Sequence, residues 1–192
     1  MLLTRIFIPS LILILQLVAG SSIAQSTIRS QSIFTSKEGV LSVTATYNGY
    51  SITAHSQKVE VWLDYETSIF SLRLAPMNLH TGIDSLDRQL SLLASPYTLK
   101  GNLSLGQIET DTHAPQVSQF TGTLESRKFE KIEVTGMVQL KHIDGGKEVA
   151  CKLALYFDVD ARSLGLHGAE VISGDQHLIK IQFYETVLGR EY

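Results

Sequence analysis

The chain has 192 residues, a net charge of −3, 44% hydrophobic residues and 18% charged residues. These proportions favour one folded domain with a large apolar interior and argue against an intrinsically disordered chain. Residues of both charge signs are interspersed without a basic stripe, so we expect no nucleic-acid partner. The single cysteine, Cys151, cannot form an internal disulfide bond.

Residues 1–24 have the pattern of a secretory signal peptide. Arg5 supplies a positive charge, residues 6–18 are almost entirely apolar, and positions 22 and 24 carry the small residues that signal peptidase accepts. We expect cleavage after Ala24, which leaves a mature protein of about 168 residues in the periplasm or outside the cell, with no stable membrane span. An uncleaved membrane anchor is the alternative, but the apolar stretch is short for a spanning helix and contains a proline.

The next segment, residues 25–38, is rich in Ser, Thr and Gln and lacks a strong periodicity. We expect a flexible lead-in that ends in a short strand near Ile33. From residue 39 to residue 192, apolar residues alternate with small or polar ones, and this alternation predicts one domain of β-strands with one buried face. Asn48-Gly49 is a hairpin signal, because both residues tolerate a positive φ. The strands predicted before residue 75 are 40–46, 50–55, 58–64 and 69–74.

One segment has a helical period instead. Its apolar residues recur at helical spacing, and the charged residues Asp84, Asp87 and Arg88 lie between them. We expect one short amphipathic helix that Thr81 caps at the N-terminus and that ends before Pro96. The apolar residues of the stripe are Ile83, Leu86, Leu90 and Leu93.

Alternation resumes after this helix. Its clearest run extends from Val149 to Val159 and is apolar at each odd position. The remaining strands are predicted at 97–105, 117–124, 131–140, 169–172 and 177–187. In total we expect about nine or ten short strands joined mostly by hairpin-length connections, which is typical of a β-sandwich or a β-barrel.

Three glycines, Gly101, Gly122 and Gly136, occupy positions where the alternation calls for an apolar side chain. A glycine at such a position presents no side chain to the interior. It can relieve backbone strain where a barrel coils tightly. It can also leave interior volume for a guest molecule, and the two interpretations are compatible.

The polar residues show no pattern of a catalytic or metal site. No two of the six histidines are spaced i, i+2 on a strand or i, i+4 on a helix, and no Gly-x-Ser-x-Gly motif is present. Asp158 and Asp160 share the solvent parity of their strand, so we interpret them as surface carboxylates. Cys151 shares the apolar parity and is expected to be a buried, unreactive thiol. We therefore expect no catalytic residue, no metal ligand and no cofactor.

Three segments resemble the YceI-like family of exported lipid- or polyisoprenoid-binding proteins. Residues 50–59, which contain His55-Ser56, resemble its His-Ser-x-x-Val segment. Residues 96–103 resemble its Phe-x-Gly strand, with Leu99 in place of the phenylalanine, and residues 134–142 resemble its Val-x-Gly-x-Leu strand. The order and rough spacing of these segments agree over about residues 40–185, although the family's His-Gly-Val turn is altered in this chain.

The resemblance implies an antiparallel lipocalin-like barrel of about eight strands with one short amphipathic helix. It also implies a long isoprenoid or acyl chain in the lumen, and a barrel of eight strands is wide enough for one such guest. We expect the apolar ligand-binding lumen to be formed by side chains that point inward from the strands. They are Val59, Val61, Phe70, Leu72, Leu103, Phe120, Val134, Val138, Leu153, Leu155 and Phe157.

Two functions fit these patterns. One is a non-enzymatic, exported binding protein that holds an apolar ligand, with the amphipathic helix as a gate. The other is a structural or interaction protein of the cell envelope with a filled β core and no ligand. A continuous apolar cavity larger than about 300 Å³ favours the first, and close packing favours the second. An exported hydrolase lacks a visible nucleophile–base pair, and the sequence leaves the ligand's identity and the oligomeric state open.

Overall fold

The computed structural model of the protein describes residues 32–47, 49–93, 95–105, 108, 114–127, 129–144, 149–163 and 177–190. In these residues eight strands form one closed antiparallel barrel, in which each strand pairs with the next and the last pairs with the first. The all-β class and the lipocalin-like barrel expected from the sequence are confirmed. The strands are β1 (Ile33–Tyr47), β2 (Tyr50–Asp64), β3 (Ile69–Leu74), β4 (Tyr97–Leu103), β5 (Gln116–Ser126), β6 (Phe129–Asp144), β7 (Val149–Asp160) and β8 (Leu178–Arg190).

β1 and β2 are longer than the alternation predicts. Residues 33–38, which the sequence assigned to the lead-in, belong to β1, and the segments 50–55 and 58–64 form one strand. The cause is a change of parity within each strand. In β1, Phe34 and Leu41 are both buried although one position is even and the other is odd. Register shifts between these two positions produce the change, because a β-bulge moves the following side chains to the opposite face.

The described residues therefore contain eight strands, fewer than the nine or ten short runs indicated. The predicted signal peptide, residues 1–24, and the predicted strand 169–172 lie outside the described residues. Asn48 lies outside them as well, but the pairing of Tyr47 with Tyr50 confirms a two-residue hairpin connection between β1 and β2.

A layer of three phenylalanine rings divides the barrel interior. Phe120 lies at its centre and makes edge-to-face contacts with Phe70 and Phe157, at centroid distances of 5.3 and 5.7 Å. On one side of this layer buried side chains occupy the interior, among them Phe34 and Tyr65, whose ring centroids lie 4.4 Å apart. On the other side lies the end of the barrel at which β3 leads into the helical connection.

Gly101 and Gly136 make room for two of these rings. Gly101 is the cross-strand partner of Phe70, and Gly136 is the partner of Phe120. A Cβ atom at either glycine would lie 2.6 Å from the partner's ring. The interpretation of these glycines as space for a guest is therefore wrong, because the protein's own rings fill that space. At Gly122 a Cβ atom would lie 2.6 Å from a backbone carbonyl oxygen of β4, so the backbone itself occupies the space.

The connection from β3 to β4 contains a short 3₁₀ helix, Pro76–Asn78, and the helix α1, Asp84–Ser91. The expected N-cap at Thr81 is wrong, because α1 begins at Asp84 and Ile83 occupies the cap position without a side-chain hydrogen bond. Thr81 instead donates from its hydroxyl and its backbone N–H to the Asp87 carboxylate, at 2.6 and 2.7 Å. Among the described residues, no helix is long and apolar enough to cross a bilayer.

Candidate ligand-binding cavity

A cavity of about 220 Å³ lies between the phenylalanine layer and α1. The antiparallel order of the barrel brings the ends of β1, β3, β5 and β7 and the starts of β4 and β8 to this part of the molecule. Their inward side chains form the walls because alternate residues of each strand point to the interior. The strand residues that line the cavity are Leu41, Val43, Val59, Leu72, Leu74, Tyr97, Leu99, Leu124, Phe157, Ile179 and Ile181.

The helical connection forms the remaining wall. Leu90 of α1 and Leu93, two residues beyond its end, line the cavity together with Pro76 and Leu79. No residue of α1 itself is buried, so the helix rests on the cavity and is not embedded in the core. Because α1 contributes only Leu90 to the lining, it has little apolar surface to lose on moving.

Two sets of hydrogen bonds hold this connection in place. His80 forms an isolated antiparallel bridge with His55 of β2, in which each backbone N–H donates to the other residue's carbonyl oxygen at 2.9 Å. The Thr81–Asp87 hydrogen bonds then fold the first turn of α1 back on the residues that precede it. These hydrogen bonds hold the Asp87 carboxylate in its charged form, so its pKa lies below the ordinary value of 3.8.

The lining is apolar throughout its described residues. Tyr97 supplies the one side-chain hydroxyl, and no Asp, Glu, His, Lys or Arg side chain is among the described residues that line the cavity. Burial raises the pKa of Tyr97, so the hydroxyl is neutral at physiological pH. A charged group inside would find no counter-charge, and burying an unpaired charge is costly. The cavity therefore suits a neutral, apolar group.

All eleven side chains predicted for the lumen are buried inside the barrel. Val59, Leu72 and Phe157 line the cavity. The other eight are not in its lining and pack in the rest of the interior: Val61, Phe70, Leu103, Phe120, Val134, Val138, Leu153 and Leu155. The role of the eleven in ligand binding stays a prediction.

Several cavity residues were missed by the sequence reasoning. Leu41 and Val43 belong to the predicted apolar face of β1, so their alternation was a usable signal. Leu79 lies between the 3₁₀ helix and the His55–His80 bridge, where no period applies. Its place in the lining depends on how the connection folds back, which a local pattern does not encode.

The cavity volume falls between two reference sizes. It is larger than an apolar cavity of roughly 150 Å³, which holds a single benzene ring, and smaller than the roughly 300 Å³ at which typical ligand pockets begin. A chain of about ten carbons or more would therefore enter only in part while α1 keeps this position. The size alone does not meet the criterion set for a carrier.

The polar residues considered in the sequence lie away from the cavity. Asp158 is exposed, and hydrogen bonds from the Arg162 guanidinium lower the pKa of Asp160 to about 2. Cys151 is fully buried, and burial raises its pKa to about 12. The His55 side chain is exposed. Within the described ranges, no group of three or more His, Cys, Asp or Glu side chains could hold a metal ion.

Comparisons with known proteins bear on the fold. No family model matches the sequence, and no curated protein matches it. Among solved structures, a polyisoprenoid-binding domain from Saccharophagus degradans implicated in plant cell wall breakdown is similar, with a TM-score of 0.58 and 10% sequence identity. The alignment covers 83% of this chain and 97% of that chain. At this identity the likeness concerns the fold, and at that level it confirms the resemblance seen in the sequence.

Proposed function

We propose that this protein is an exported, non-enzymatic binding protein that holds an isoprenoid or acyl chain in the cavity beneath α1. The observation that carries the proposal is the apolar cavity itself, which has no charged side chain among its described lining residues. The fold shared with a polyisoprenoid-binding domain supports the class of ligand. The signal-peptide pattern of residues 1–24 supports export to the periplasm or beyond.

The ligand's own hydrophobicity supplies the affinity. Each methylene group removed from water contributes about 0.8 kcal/mol, so about ten carbons contribute about 8 kcal/mol before the cost of ordering the chain. A neutral end group such as an alcohol suits this site better than a carboxylate, because the described lining offers no cation to pair with a buried charge. Of the predicted lumen residues, we assign direct contact to Val59, Leu72 and Phe157.

Accommodation of a long chain requires α1 to move outward. The present volume of about 220 Å³ holds only part of such a chain. An outward movement of α1 would take Leu90 out of the lining, while the phenylalanine layer and the strands stay in place. In this proposal α1 acts as the gate.

A second function has a specific observation in its favour. The cavity lies below the size typical of ligand pockets, and the interior beyond the phenylalanine layer is occupied by buried side chains. A cell-envelope interaction protein with a filled core would have these properties. The two functions differ in one measurable respect, which is whether the protein carries an apolar molecule when isolated.

Native mass spectrometry of the protein purified without detergent tests the proposal. We expect the wild type to retain a lipid-like molecule and Ile181→Trp to lose it, because the indole ring would occupy the cavity. Val187→Trp is the matched control, since Val187 lies on the same strand but is 53% exposed. Thermal melting of each variant checks that the fold is kept.

The outcomes separate the two functions. A bare protein mass in every preparation contradicts the binding function and favours the envelope protein with a filled core. Equal retention by Ile181→Trp and Val187→Trp contradicts the assignment of the ligand to this cavity.

A further inference from the structure

The β1–β2 hairpin extends past its neighbours at the cavity end of the barrel. β1 pairs with β8 only as far as Thr44, and β2 pairs with β3 only from Val59 onward. The two strands stay paired to each other out to Tyr47 and Tyr50. The tip of the hairpin therefore projects from the rim at the cavity end of the barrel.

One face of the hairpin continues the apolar wall of the cavity to this tip. Val43 lines the cavity and pairs with Ala54, and the next pair on the same face is Ala45 with Ile52. Tyr50 follows on that face, because side chains two residues apart on a strand point the same way. Its side chain is 76% exposed. An apolar strip thus runs from the binding cavity to an exposed aromatic ring.

The hairpin is also free of ionised side chains over a long stretch. Residues 40–57 contain no Asp, Glu, Lys or Arg. By contrast, other strands of the barrel carry cross-strand ion pairs, such as Lys152–Glu185 and Lys100–Glu125, each at 3.2 Å. The absence of ionised side chains is therefore a property of the hairpin.

The connection that covers the cavity adds exposed apolar side chains at the same end. Met77 in the 3₁₀ helix is 58% exposed, and Leu92 directly after α1 is 76% exposed. Ile83, at the start of α1, is also exposed. Together with Tyr50 these side chains form what we call the docking face.

We infer that the docking face binds the surface of a lipid bilayer. A long stretch without ionised groups suits a bilayer, because each charge carried into the interface region would be costly. Tyrosine is enriched at membrane interfaces, where its ring contacts apolar groups and its hydroxyl contacts water. Continuity of the face with the cavity would let an apolar ligand pass between membrane and protein without crossing water. Only this last step rests on the proposed function.

Flotation with phosphatidylcholine vesicles tests the docking face. The protein is used as processed by the exporting cell, with its N-terminus checked by mass, so that no signal segment can bind the vesicles. We expect the wild type to float with the vesicles at low and at high salt, because the contact is apolar. The double variant Tyr50→Asp/Leu92→Asp should partition into the vesicle fraction at least about tenfold less, since two carboxylates replace apolar contacts.

The matched control makes the same changes on the barrel wall. Tyr156 and Val187 are exposed on β7 and β8, so Tyr156→Asp/Val187→Asp adds the same charges away from the docking face and should float like the wild type. Equal loss by both double variants overturns the inference. Failure of the wild type to float also overturns it, as does binding that requires anionic lipid and disappears at high salt. Binding to protein-containing membranes but not to vesicles would assign the face to a protein partner.

The outcome is independent of the cargo test. A protein that retains a ligand in the mass spectrum yet fails to float contradicts the docking face alone. A protein that floats but carries no ligand in any preparation contradicts the proposed cargo alone.

Discussion

Two glycines in this barrel leave space for aromatic rings of the neighbouring strands. Phe70 lies across from Gly101 and Phe120 lies across from Gly136, and each ring covers the backbone of its partner. Such pairs leave room for the large rings, which contact one another edge to face in the barrel interior. The ring layer thus requires the glycines at positions 101 and 136 as well as the phenylalanines.

A methyl group at Gly101 should therefore destabilise the fold. Gly101→Ala places a Cβ atom 2.6 Å from the Phe70 ring, and we expect a loss of about 1–3 kcal/mol in the free energy of unfolding. Urea denaturation measures it. Gly189→Ala is the control, because a Cβ atom there meets nothing within 4 Å and the change should stay within about 0.5 kcal/mol. Equal stability of the two variants would contradict this account of the ring layer.

The buried position of Cys151 predicts that its thiol reacts slowly in the native protein. Burial raises the pKa of its thiol from the ordinary 9.0 to about 12, and the thiolate is the reactive form. Maleimide should therefore modify the native protein at neutral pH slower than the unfolded protein by about two orders of magnitude or more. Comparable rates in the presence and absence of denaturant would show that the thiol is accessible.

The raised pKa of Cys151 also predicts how the stability of the fold changes at alkaline pH. Folding favours the neutral thiol of Cys151, so the contribution of this group to the free energy of unfolding is fully present below pH 9.0. That contribution is lost as the pH rises toward about 12.

At the scale of elements, the sequence predicted strands well and their boundaries less well. Alternation identified which residues of β7 are buried, because that strand keeps one parity from Cys151 to Val159. In β1 and β2 the parity changes within the strand, so the same rule split β2 into two and gave residues 33–38 of β1 to the lead-in. A β-bulge is a property of two paired strands, and a pattern in one strand does not reveal it.

The start of α1 illustrates the same limit. Thr81 was a reasonable cap by residue type, but the helix begins three residues later and Thr81 binds Asp87 from outside. Because the hydrogen bonds lower the pKa of Asp87, they are present above its ordinary value of 3.8 and are lost as the pH falls through the lowered value.

Removal of this contact should loosen α1 without unfolding the barrel. We expect Asp87→Asn to increase hydrogen–deuterium exchange severalfold in the α1 amides, because the charged acceptor of two Thr81 hydrogen bonds is gone. Asp84→Asn makes the same charge change at an exposed residue of the same turn and should leave the exchange near the wild-type rate. Identical exchange in both variants would show that the Thr81 contact does not hold the gate.

At the scale of the whole molecule, the sequence predicted which face is inside for the strands with regular alternation, but not what fills the inside. All eleven predicted lumen residues are buried, yet only Val59, Leu72 and Phe157 border the cavity. Parity reports the side of the sheet, whereas empty space depends on how side chains from opposite walls meet. The helical connection, which has no strand period, covers one end of the interior and completes the wall of the cavity.

The barrel therefore has two unlike halves. Beyond the phenylalanine layer the interior is occupied by the protein's own side chains, and on the near side it keeps an apolar cavity under a helix with no buried residue. The occupied half stabilises the fold, since packed apolar surface is the main favourable contribution to folding. Exchange of the proposed ligand in the cavity half would leave that core in place.

A crystal structure of the protein saturated with farnesol, a neutral isoprenoid alcohol, tests this account most directly. We predict continuous ligand density between Leu99 and Phe157, with α1 displaced outward and the three rings of the layer unmoved. An empty cavity under an unmoved helix, or farnesol bound only outside the barrel, would contradict it.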